Sequence, residues 1–328
     1  MDIFIDTPGT YVHVKDEMFE IRKKKDGQVE KHSFAAHKVR TIQMTRGIAL
    51  SSDAVALALK HNVDMLFLAS DGQPVGRVWH SKLGSTTKIR KEQLVASMNA
   101  DGVMWVKNWL EKKLEAQIGF LKDLKKHRDG MRDFLDEKVS GIEKMKQSIM
   151  SAEADTLSEI SESIRGWEGT AGRMYFEALS KIMPAPYGFE GRSRRPALDP
   201  FNAFLNYAYG MLYGTVEKSL IIAGLDPYLG FLHRDDYNQK SLVFDFIEPY
   251  RIYAERVVVR LFSGKKVNQS HTEKLTNGYS LGKEGKPVLV QAFQQYMLEE
   301  KIRHQGRNLS RSHAIQLDAH AFSNSLIK

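Results

Sequence analysis

The spacing of hydrophobic residues changes at about Ser85, and one layer of secondary structure cannot satisfy both patterns. Before that point the runs DIFI, YVHVKD, MFEIRK, GQVEKHSFA, VRTIQM, VDMLFL and PVGRVWH are short, often alternating or β-branched, and punctuated by DG or PG, which predicts strands. A single insert, SSDAVALALKHN, opens on Ser-Ser-Asp and predicts one short helix. Beyond Ser85, VMWVKNWLEKKLEAQIGFLKDLKKHR sets Trp105, Trp109, Leu110, Ile118, Leu121 and Leu124 at helical spacing, and MRDFLDEKVSGIEKMKQSI continues it. Further helices are expected over 152–183, 201–224, 241–263, 287–304 and 308–327. The expected class is therefore α+β: a small β-rich domain over 1–85 and a larger all-α domain over 86–328, joined near TTKIRKEQL. A chain of 328 residues exceeds the usual single domain, which agrees with two.

The absence of cysteine excludes disulfides, thiolate-held zinc and thiol nucleophiles, so any metal must be held by carboxylate, imidazole or carbonyl groups. The opening MDIFIDTPGTYVHV has no basic stretch leading into an apolar run, and no segment approaches eighteen apolar residues, so a soluble cytoplasmic protein with no membrane partner is expected. The formal charge is +8, and its distribution points to a polyanion. KIRHQGRNLSRSHAIQL carries Lys301, Arg303, Arg307 and Arg311 without an acidic residue, and GRSRRP concentrates Arg192, Arg194 and Arg195. Either cluster reads as a solvated face or as a phosphate contact.

Three segments carry charges in unexpected company. In SLVFDFIEPYRIYAERVVVRLF, Asp245 and Glu248 sit within an apolar run, three apart, so on one continuous helix they share a face. They either face solvent and pair with Arg251 and Arg256, or they hold a cation that offsets the cost of burial. His233 closes the apolar run YLGFLH, and Asp235 and Asp236 follow in what reads as an exposed turn. In SIRGWEGTAGRMYF, Glu168 lies between Gly166 and Gly169, with Ala171 and Gly172 beyond. Such small residues serve either a tight helix crossing or the close approach of a ligand. Carboxylates with one imidazole and no sulfur suit Mg²⁺ or Mn²⁺, and beside basic clusters that chemistry points to a phosphodiester.

GWEGTAGRMYF, GRSRRPALDPFNAFLNYAYGMLYG, AGLDPYLGFLH and SLVFDFIEP, in this order over about 85 residues, resemble the successive motifs of the CRISPR-associated protein one family, the endonuclease and integrase of spacer acquisition. The resemblance implies that Glu168, His233 and Glu248 hold the metal and that Asp245 supports it. The family often has aspartate where this chain has Glu248. Asn202 and Tyr213 match polar positions near the site, and Tyr213 and Arg251 join the arginines named above as candidates for DNA contact. The resemblance further implies a sandwich-like N-terminal domain that forms a homodimer, and a small partner, CRISPR-associated protein two, bridging two such dimers.

The function expected is a Mg²⁺- or Mn²⁺-dependent joining of short double-stranded DNA fragments to a CRISPR repeat by transesterification. A metal-dependent nuclease of branched DNA and a non-catalytic DNA-binding scaffold are the rival readings. Glu168, His233 and Glu248 are expected to converge beside Arg192, Arg194 or Arg195. Without metal their carboxylates are expected to repel and to raise at least one pKa. Glu248→Ala is expected to stop strand transfer and leave folding largely intact.

Overall fold

The computed structural model describes residues 1–25, 27–78, 86–233 and 239–327. Asp235 and Asp236 lie outside them. The chain divides into two compact units, Met1–Leu83 and Gly84–Lys328.

The first unit runs β1 (Asp2–Ile5), β2 (Tyr11–Lys15), β3 (Met18–Lys25), β4 (Gln28–Ala35), β5 (Thr41–Met44), β6 (Ala49–Leu50), α1 (Ser52–Lys60), β7 (Asp64–Leu68) and β8 (Pro74–Val78). One sheet has the order β1-β5-β7-β8, parallel except for β8; the other has the order β4-β3-β2-β6, with β6 parallel to β2. Alternation explains the core. Ile3 and Ile5 from β1, Val12 from β2, and Phe19 and Ile21 from β3 all point inward and meet Ile42, Met44 and Met65 with Leu57 of α1. Ser51 caps α1 by accepting from the Ala54 amide at 3.1 Å. Strand β6 escapes the sequence reading because two residues are too few to alternate.

The second unit contains α2 (Thr86–Ser97), α3 (Ala100–Lys125), α4 (Arg132–Ser151), α5 (Leu157–Ile182), α6 (Pro200–Ile222), α7 (Ser241–Phe246), α8 (Arg251–Ser263), β9 (Thr272–Leu275), β10 (Gly278–Leu281), α9 (Gly285–Gln294), β11 (Lys301–His304), β12 (Arg307–Ser310) and α10 (Arg311–Leu326). Helix α6 is apolar around most of its circumference and is accordingly buried from Phe201 to Leu205 and again from Tyr207 to Leu212. Asp199 caps it, accepting from the Asn202 amide at 2.8 Å, and Pro200 occupies the first helical position. The buried Trp109 of α3 is met edge-on by Phe231, Phe246 and Phe322, at centroid distances of 5.6, 5.7 and 5.2 Å. That cluster draws together α3, the segment before His233, α7 and α10.

Several expected elements differ. TTKIRKEQL is part of α2, and its buried Gln93 is tied to the Asp226 amide at 2.9 Å and the Leu229 carbonyl at 2.9 Å. The helix expected over 241–263 is broken: α7 ends at Phe246 and a 3₁₀ turn, Glu248–Tyr250, precedes α8. Pro249 supplies the reason, since it lacks an N–H and clashes with the carbonyl four residues back. The helix expected over 287–304 also stops early, giving way to a π turn over Gln295–Glu299 and then to the antiparallel β11–β12 pair. The turn between these strands is Gln305-Gly306, both with positive φ (46° and 77°). A second hairpin, β9–β10, turns over residues 276–277, with Gly278 paired to Leu275, and was not expected in an all-α domain.

Candidate active site

Glu168 stands in the middle of α5, half-buried, and its carboxylate accepts a hydrogen bond from the Lys113 ammonium of α3. Lys113 also lies 2.6 Å from Glu248 Oε2, so one ammonium bridges two carboxylates that are 80 residues apart in the chain. The second contact is an ion pair without hydrogen-bond alignment, and Glu248 Oε2 therefore receives no directed donor among the described residues. The other oxygen, Oε1, accepts from Arg251 Nε at 2.8 Å. Burial pushes the Glu248 carboxyl up, but Arg251 and Lys113 together outweigh it and hold the group down at about 2. At Glu248 the expected rise is thus reversed. Arg251 is the larger cause and Lys113, a buried cation missed by the sequence reading, the second.

His233 ends the segment that packs on α7. Its Nδ1 is 2.6 Å from Asp245 Oδ1, and the same carboxylate accepts from the amides of Phe231, Leu232 and His233 at 2.6, 3.1 and 3.1 Å. In this pairing the Nδ1 side of the imidazole is engaged by the carboxylate, which fixes the orientation of the ring. Gly230 allows the segment this close approach, because a Cβ there would stand 2.4 Å from Ser241 Cβ. Asp245 and Glu248 have different partners. Asp245 turns back to the 231–233 amides, whereas Glu248, which opens the 3₁₀ turn after α7, turns to Lys113 and Arg251.

Glu168, His233 and Glu248 line one cleft of about 110 Å³ together with Arg192, Arg194 and Arg251. Asn202 is fully buried and staples GRSRRP to α6: its Oδ1 accepts from the Ser193 amide at 2.9 Å and from Arg192 Nη1 at 3.0 Å, and its Nδ2 donates to the Gly191 carbonyl at 2.7 Å. Arg194 is exposed at the cleft, and the exposed Arg195 lies outside its lining. Arg251 is buried, committed to Glu248, and 3.2 Å from the Tyr213 hydroxyl. Its guanidinium covers the Tyr209 ring at 5.2 Å, and Arg192 covers the same ring at 5.3 Å. At Gly166, Gly169 and Gly172 an added Cβ would meet nothing within 4 Å, so these glycines serve no tight helix crossing.

The second basic cluster divides. Lys301, Arg303 and Arg307 are exposed on the β11–β12 hairpin. Arg311 is buried, donates to the Tyr296 carbonyl at 2.7 Å and covers the Tyr296 ring at 3.5 Å, so the expectation that it contacts DNA is corrected. A cation at the start of α10 opposes the helix dipole and needs such partners.

The donor chemistry fits a hard divalent cation. Two carboxylates and an imidazole line one cleft, one buried carboxylate oxygen lacks a directed donor, and the imidazole is oriented through Nδ1. Among the described residues no three such groups already stand in ligating arrangement, and the Lys113 ammonium touches both carboxylates. Lys113 had left a signal in the sequence. It follows Trp109 by four and Leu110 by three, which places a lysine on the apolar stripe of α3.

The family model described as CRISPR associated protein Cas1 matches residues 3–295. A relative from Archaeoglobus fulgidus, CRISPR-associated endonuclease Cas1 1, is 32% identical over 338 residues, spanning 97% of this chain and 94% of that protein. Among solved structures, a casposase bound to integration product superposes with a TM-score of 0.85 at 21% identity, covering 99% of this chain and 90% of that one. A Cas6-RT-Cas1–Cas2 complex superposes with a TM-score of 0.78 at 18% identity, covering 99% of this chain and 35% of that one. These two likenesses concern the fold, and the first two matches carry the assignment. The chain belongs to the CRISPR-associated protein Cas1 family.

Proposed function

We propose that this protein is a divalent-metal-dependent DNA endonuclease and integrase of CRISPR adaptation, joining short DNA fragments to a repeat by transesterification. The observation that carries the reading is the convergence of Glu168, His233 and Glu248 with Arg192 and Arg194 on one cleft. The relative named an endonuclease and the casposase fold bound to integration product support it. The attacking 3′-hydroxyl of the fragment forms a new bond to phosphorus as the bond from phosphorus to the target strand's 3′-oxygen breaks. The proton lost by the first oxygen is balanced by one taken up at the second. Glu168, Glu248 and His233 Nε2 would hold Mg²⁺ or Mn²⁺, which supplies Lewis acidity at the phosphodiester when bound. Asp245 fixes the orientation of the His233 ring, Asn202 positions Arg192, and the open glycine face of α5 leaves room for a backbone to approach. Double-stranded DNA, a second copy of this chain through the N-terminal unit, and a Cas2 partner complete the proposal; the last draws on the likeness to a Cas1–Cas2 assembly.

The test is incubation of the protein, with and without Cas2, with labelled DNA ends, a repeat-containing target and Mn²⁺. Joined product is expected. Shortened strands alone would assign hydrolysis instead, and DNA bound with every bond intact would leave a scaffold.

The arginines make a separate prediction. Each phosphate contact contributes about −0.9 to the slope of log K against log salt on duplex DNA. Replacing Arg194 with Arg195, or Arg303 with Arg307, by alanine should make the slope shallower by about 1.8. Arg311→Ala should instead lower stability, and a slope unchanged in both pairs would return them to a solvated face.

A further inference from the structure

Lys113 is a buried cation for which the chemistry above has no use. Its side chain is 7% exposed, and its ammonium touches Glu168 and Glu248, two of the three groups proposed to hold the metal. Glu248 already has Arg251, so the two carboxylates face two enclosed cations and are neutralised before any metal arrives. A divalent ion entering beside the ammonium would raise the local charge to four positive against two negative. At contact distance within a protein such repulsion is large. Lysine is suited to leaving, because its charge is a point on a flexible four-carbon stem, unlike a fork fixed by bidentate geometry. The remaining buried anion of the cleft, Glu255, has its two oxygens engaged by the Tyr209 and Tyr175 hydroxyls at 2.7 and 2.8 Å and by no cation at hydrogen-bonding distance among the described residues.

We propose that Lys113 is a positioning residue and resident counter-cation, which occupies the place between Glu168 and Glu248 in the metal-free protein and must yield it for a divalent ion to bind. The inference rests on the metal-site reading above. It has a regulatory consequence. DNA phosphates entering the cleft supply the negative charge that the metal-free site lacks, so metal affinity is low in the free protein and rises when DNA is bound. By linkage the metal tightens DNA binding by the same factor.

The measurement is Mn²⁺ binding by the full chain, followed by electron paramagnetic resonance of the free ion, with and without a short DNA duplex. Lys113→Met should bind Mn²⁺ about 10-fold more tightly or better than wild type in the absence of DNA. It should also gain less from added DNA. Thermal melting of Lys113→Met should be raised by Mn²⁺ more than that of wild type, a response that a purely structural lysine would not give. Lys113→Arg keeps the charge and should bind Mn²⁺ no more tightly than wild type; this variant decides the matter if the methionine variant fails to fold. Equal or weaker Mn²⁺ binding by folded Lys113→Met, or tighter binding by Lys113→Arg, would overturn the inference. Its failure is distinguishable from failure of the site itself: if wild type binds no Mn²⁺ even with DNA, or if Glu168→Gln and Glu248→Gln leave binding unchanged, the metal-site reading falls and this inference falls with it.

Discussion

Glu248→Gln should reduce strand transfer about 1000-fold, because losing several kcal/mol of charge stabilisation at the phosphodiester corresponds to that factor in rate. The glutamine keeps the shape of the side chain and an acceptor for Arg251 Nε, so the variant should fold. Glu248→Ala should not be so mild as the sequence led us to expect. It leaves Arg251 buried without its anion and Lys113 with one carboxylate in place of two, and breaking such a buried pair typically costs about 3–5 kcal/mol. For a unit of this size that is a fall of about 10 °C in Tm. The same ion pairs predict an acid limb. A carboxyl held at about 2 in the folded state, against 4.5 unfolded, contributes stability that is present above pH 4.5 and is lost as pH falls towards 2. That contribution is about 3 kcal/mol. Wild type should show this loss in denaturant titrations between those pH values, and Glu248→Gln should not. Undiminished strand transfer by folded Glu248→Gln would remove Glu248 from the site.

Asp245→Ala should be the most destabilising change near the cleft, although Asp245 does not line it. The Asp245 side chain is 1% exposed and accepts three backbone amides and the His233 ring, so its loss orphans several buried donors at about 1–3 kcal/mol each. His233 itself is 37% exposed, and His233→Ala should alter stability by less than about 1 kcal/mol while abolishing strand transfer. Asp245→Asn should fall between the two and lose about 10- to 100-fold in transfer, the usual cost of losing the group that orients a ligating histidine. Chemical denaturation and the joining assay on the three variants separate these roles. If Asp245→Ala melts like wild type, or His233→Ala retains transfer, the division between an orienting carboxylate and a ligating imidazole is wrong.

Residue type and spacing alone separated the β-rich beginning from the helical remainder, because alternation and the 3.6-residue period are local properties that each element displays before it packs. They also drew attention to Glu168, Asp245 and Glu248, since charges among glycines or inside apolar runs are costly wherever the chain folds; it was the resemblance to the family that set Glu168, His233 and Glu248 apart as the metal-holding three. Boundaries were less legible where one residue overrode a periodic pattern: Pro249 split a helix, and Gln305-Gly306 turned an expected helix into a hairpin.

Pairing was decided by tertiary structure. Arg311 belonged on sequence grounds to a basic surface, and only the packing of α10 against the π turn, which presents the Tyr296 carbonyl and ring, shows why it is buried. The electrostatics of the cleft depend on the same kind of fact. From the sequence, two acids brought together should repel; in the fold, Arg251 and Lys113, the latter arriving from α3, 55 residues before Glu168, reverse the sign at Glu248. A residue's charge is written in the sequence, but its energy depends on what lies within a few ångströms after burial, and those neighbours come from elements far apart along the chain.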